Sequence, residues 1–102
     1  MADNVKTPQK YGLNFPIWKV KMTVFLQSLG SHIAKAITKP FVIPSDDEDT
    51  WSDITIKEFE ANAKAHYALL QALNDDDIFR VINCKSTFEI LNNLIVTHEG
   101  IS

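Results

Sequence analysis

From Asp53 to Leu73 the chain runs without a glycine or a proline, and this stretch limits the fold more than any other. It carries Ala61, Ala63, Ala65, Ala68 and Ala72 among charged and polar neighbours, the composition of a strong helix former. Ile56, Phe59, Ala63, Tyr67, Leu70 and Leu73 recur at helical spacing and predict its buried stripe. At 1.5 Å per residue such a helix is about 30 Å long, the width of a small domain. With 102 residues in all, there is room for one domain around it. The helix is therefore expected as the central strut, its inward alanines letting a neighbour approach closely.

The flanking sequence supplies shorter helices. Trp18, Met22, Phe25, Leu26 and Leu29 form one apolar stripe, Pro16 suits the first helical turn and Gly30 the stop, which predicts a helix over 16–29. His32 to Ile37 offers one or two further turns before Pro40. Pro40 and Pro44 bracket Phe41-Val42-Ile43, an extended piece expected to fasten to the core. Asn74-Asp75-Asp76-Asp77 presents cap residues and negative charge ahead of a helix over 76–82. Ser86 and Glu89 stand three apart as a capping box for a helix over 87–98, which Gly100 closes. No segment shows sustained period-two alternation. The expectation is an all-α, compact orthogonal bundle of about five helices, with a loose tail over 1–10 and a single domain over 11–102. Trp18, Met22, Phe25, Leu29, Phe59, Leu70, Phe79 and Leu94 are expected in its core.

Charge and chemistry narrow the function. Residues 1–44 hold six lysines and one acid, net +5; residues 45–60 hold seven acids and one lysine, net −6; the whole chain is −3. An acidic total gives nucleic-acid phosphates little to bind, so RNA binding by this chain is expected to be weak. Gly12, Gly30 and Gly100 are isolated and form no phosphate loop. His32, His66 and His98 share no i, i+4 spacing, and the single Cys84 forms neither an internal disulfide nor a cysteine-based metal site. A twelve-residue calcium loop started at Asp47 puts Trp51 at its fifth position, and one started at Asp75 puts Phe79 there, where an oxygen ligand is required. No cofactor, no metal and no catalytic set is expected, and an enzyme reading would rest on Cys84 and the histidines alone. Trp51 lies in an acidic loop that repels phosphate and reads as a docking or capping aromatic. No apolar run approaches the roughly 18 residues of a membrane span, and a lone cysteine fits a reducing compartment. The cytoplasm is the expected location.

Gly12-Leu13-Asn14-Phe15, Trp18-Lys19-Val20-Lys21-Met22, Leu73-Asn74-Asp75-Asp76 and Ser86-Thr87-Phe88-Glu89 follow one another around an acidic, tryptophan-containing loop and the alanine-rich helix. In that order they resemble the N-terminal part of the Gag polyprotein of plant copia-type long-terminal-repeat retrotransposons, where G-x-N-[YF]-x-x-W-[KR]-x-[KR]-M recurs. The likeness runs over nearly everything after residue 10, although Leu91 stands where the family usually has Trp. The resemblance implies a domain like the N-terminal lobe of a capsid, a structural protein that self-assembles and, in the full-length polyprotein, packages the element's RNA. In that family a second helical lobe and an RNA-binding zinc knuckle follow, and this sequence has no such knuckle.

Two binding roles stay open on this reading. A homo-oligomer built from unlike surfaces would use Lys19, Lys21 and Lys35 on one side and Asp46, Asp47 and Asp49 on the other. The alternative is a helical peptide- or effector-binding domain of a Gag-derived host protein, with a groove between the first and the long helix for a partner segment.

Overall fold

Side-chain caps set where most of the helices begin. The computed structural model describes residues 7–8 and 14–100, and among these it holds five α-helices and no strand. In α1, Phe15–Ser28, the Asn14 carboxamide oxygen accepts from the Ile17 amide and Pro16 occupies the first turn. Ser52 caps α3, Asp53–Ala72, by accepting from the Thr55 amide. Asn74 does the same for α4, Asp75–Val81, through the Asp77 amide at 2.9 Å, and three aspartates in that first turn oppose the positive helix end. The predicted capping box is present at α5, Thr87–Glu99: Ser86 Oγ accepts from the Glu89 amide, and the Glu89 carboxylate reaches back to the Ser86 hydroxyl and the Lys85 amide. Gly100 ends α5 in the left-handed conformation, its amide donating to the Val96 carbonyl. The remaining helix, α2, Ser31–Ala36, follows α1 after Gly30, whose φ of 139° is open only to glycine. Gly30 stands immediately after the Leu29 C-cap, at the stop the sequence expects, and is also the N-cap of α2.

The core forms where α1, α3 and α5 meet, with Trp18, Met22, Leu26, Leu69, Ile90 and Leu94 fully enclosed. Burying each of these large side chains contributes about 1.5–3 kcal/mol. Trp18, Met22 and Leu94 are where the sequence puts them. Phe25 and Leu70 pack against the core but are only partly buried.

Leu29, Phe59 and Phe79 require correction, because all three are exposed. Leu29 is the C-cap of α1, at the open end of its stripe where the chain turns away into α2, and nothing covers it fully. Phe79 belongs to a seven-residue helix that buries only Asp77 and Val81, and it is 76% exposed. Replacing Phe79 with Ala is accordingly expected to change unfolding free energy by no more than about 0.5 kcal/mol, the range of surface substitutions. A urea titration checks this, and a shift typical of a core phenylalanine would restore the sequence assignment.

Phe59 exposes a larger difference. The buried face of α3 is Ala61, Asn62, Ala65, Ala68, Leu69 and Ala72, on the opposite side of the helix from most of the stripe read in the sequence. Small side chains let α2 and α5 come close to α3, so the alanines go inside while Ile56, Phe59, Ala63 and Tyr67 turn outward. Phe41 and Trp51 then pack edge-on against Phe59, with ring centroids 6.1 and 5.4 Å away. The segment after α2 is therefore fastened to the outer face of α3 and not to the core. Val42 is 78% exposed and Ile43 is exposed as well. A single 3-10 turn, Glu48–Thr50, interrupts the acidic loop.

The expected tail over 1–10 lies mostly outside the described residues, but Pro8 is held. Its carbonyl accepts a hydrogen bond of 3.0 Å from Trp18 Nε1–H.

Candidate interaction surfaces

The charged blocks separate into groups engaged within the chain and groups left free. Lys19 Nζ stands 2.8 Å from Glu99 Oε2 and 5.9 Å from the Phe15 ring centre, tying α1 to the end of α5. Lys35 pairs with Glu58 across α2 and α3. The hydrogen bond from Lys35 holds the Glu58 carboxyl below the usual carboxylate range, and the charges of Lys35, Lys39 and His32 act in the same direction. Lys21 is exposed and makes no ion pair among the described residues. Asp46, Asp47 and Asp49 are likewise exposed and free of ion pairs there. Of the residues expected to reach another molecule, Lys21 and the three aspartates remain available, while Lys19 and Lys35 serve the fold.

Apolar side chains line up on the outside as well. Ile17, Val20 and Val24 of α1 are exposed at i, i+3 and i+7, opposite the stripe of Trp18, Met22 and Leu26. Val20 and Val24 are 61% and 58% exposed. The sequence reading missed this row because it followed the stripe holding the tryptophan. The 3.6-residue spacing that finds one row also finds the other.

Between α1 and α5 runs a groove of about 210 Å³, floored by Ile37, Phe88, Leu91 and Ile95 and rimmed by Thr23 and Gln27. A larger and more open depression, about 340 Å³, lies nearer the place the sequence reading gave, between Leu29 at the end of α1, His32 of α2 and Lys57, Glu60 and Lys64 of the long helix. A third depression, of about 70 Å³, lies against α2 and holds Lys35, Lys39, Phe41 and Glu58. It has room for only a few waters.

The titratable groups inside the fold hold it together. His98 Nε2 lies 3.2 Å from Asp77 Oδ1, and its ring stacks on Phe15 at 4.9 Å, so the starts of α1 and α4 and the end of α5 converge there. Burial and the nearby Glu89 carboxylate push the Cys84 thiol up, which lowers the thiolate fraction a nucleophile needs. Burial pushes the His66 imidazole down. Among the described residues no group of three or more His, Cys, Asp or Glu side chains is placed to hold a metal ion, and no helix is long and apolar enough to cross a membrane.

A comparison with known proteins found no family model, no curated protein and no solved structure that matches the chain.

Proposed function

We propose that this chain is a structural self-assembly module, the capsid-like N-terminal region of a copia-type retrotransposon Gag polyprotein or of a host protein derived from one. In that reading it works in the cytoplasm, its contacts are with copies of itself, and the packaging of RNA belongs to the longer protein. The observation that carries the proposal is the outward apolar surface. Ile17, Val20 and Val24 line one face of α1 and are turned to solvent, and contiguous exposed apolar surface marks contact sites. The ordered sequence motifs from Gly12 to Glu89 and the all-α fold agree with it.

A second reading rests on the groove between α1 and α5, whose apolar floor and polar rim suit a short peptide segment of a partner protein. Light scattering over a concentration series separates the two. A mass that climbs with concentration supports assembly. A constant monomer mass overturns it and leaves the groove as the working surface.

A further inference from the structure

We infer that the outer row of α1 is the docking site for the acidic 42–49 segment of a second copy of this chain, in a head-to-tail contact. The inference rests on the self-assembly reading and names the two surfaces that perform it.

Each surface has what the other lacks. The α1 row is apolar, is flanked by the free cation Lys21, and has no carboxylate in its first turn to compete for that cation. The segment after α2 offers exposed Val42 and Ile43, followed by the free carboxylates of Asp46, Asp47 and Asp49. The acidic run begins three residues after Ile43, so an apolar contact of Val42 or Ile43 with the row at Val20 and Val24 brings Asp46 and Asp47 within reach of Lys21.

The chain does not make this contact with itself. Phe41 and Trp51 hold the two ends of the segment against Phe59 on the outer face of α3, while the α1 row faces away from its own core. A symmetric pairing of two α1 rows is disfavoured, since each Lys21 would face the lysine of its twin across an apolar contact. Unlike surfaces joined in this way leave one free surface of each kind at the ends, so the contact propagates as a ring or a filament.

Two charge variants test the pairing. Lys21→Glu sets a carboxylate against the acidic segment, and Asp46→Lys with Asp47→Lys sets lysines against Lys21. Each variant alone is expected to associate at least about tenfold more weakly than the native chain, because an attractive contact becomes repulsive. An equimolar mixture of the two restores opposite charges at every contact and is expected to recover the native mass in sedimentation velocity. Val20→Ser, an uncharged apolar-row variant, should weaken association without being restored by either partner. All these positions are exposed, and unchanged thermal unfolding confirms that the variants fold. If the native chain associates and the variants do so equally well, or if the mixture fails to recover, the pairing is overturned while self-assembly stands. If the native chain stays monomeric throughout, the assembly reading itself falls and this pairing falls with it.

Discussion

A Trp18→Ala chain is expected to lose about 3–5 kcal/mol of unfolding free energy, the usual cost of truncating a fully enclosed aromatic to alanine. Trp18 has no solvent exposure and stands on the buried stripe of α1 with Met22 and Leu26, its ring centre 5.7 Å from that of Phe15. Truncation leaves a cavity that the helices on either side cannot close without unpacking other contacts. It also removes the indole N–H that donates to the Pro8 carbonyl, so that hydrogen bond is lost along with the core packing. Domains of this size are stable by about 5–15 kcal/mol, and the loss is a large fraction of that. Urea unfolding followed by circular dichroism measures it. Trp18→Phe, which keeps most of the volume and drops only the hydrogen bond and part of the ring, should fall between native and alanine. An alanine variant as stable as the native chain would show that the core is elsewhere.

Asn62→Ala is expected to cost about 1–3 kcal/mol although it removes no large apolar group, because it strands a buried donor. Asn62 is buried in the middle of α3, and its side-chain oxygen accepts from the Thr87 amide at 3.0 Å. That amide is at the first position of α5, one of the N–H groups a helix start cannot satisfy within itself. The Thr87 hydroxyl donates in return to the Asn62 carbonyl, so one polar clasp joins the two helices inside an apolar interface. Each substitution in a double-mutant cycle with Thr87→Val removes one of the two hydrogen bonds, and the losses should be less than additive, since loss of either loosens the contact that holds the other. Strict additivity would show that the two hydrogen bonds act independently, and an Asn62→Ala variant of native stability would mean that water replaces the side chain at no cost.

The elements legible in the sequence are those decided locally. Ser86 and Glu89, Asn74 with its aspartates, and Pro16 act on backbone groups within a few residues, and each helix begins where these residues put it. The free acidic loop was legible for the same reason, as a run of charge has no inward alternative. The face of α3 was not. Side-chain size favours burying Ile56, Phe59 and Tyr67 over alanine, whereas the fold chooses the side that permits the closest helix approach, and that is the alanine side. The apolar stripe then serves outside, where Phe41 and Trp51 cover part of it. Long-range pairs were hidden for a different reason: no local pattern links Asn62 to Thr87, or Lys19 to Glu99, before the helices are placed. Of the candidate contact residues, Lys21 and the aspartates of 46–49 were readable as charge. The outer row of Ile17, Val20 and Val24 became apparent only once Trp18 had fixed which side of α1 faces in.

The most direct test of the central claim, that these outward surfaces bind copies of the chain, is sedimentation velocity of the native protein over a wide concentration range at about 0.15 M salt, where charges beyond about 8 Å are screened. The account predicts a weight-average sedimentation coefficient that rises steadily with concentration, without stopping at the value of a dimer. A single boundary at the monomer value at every concentration would contradict it.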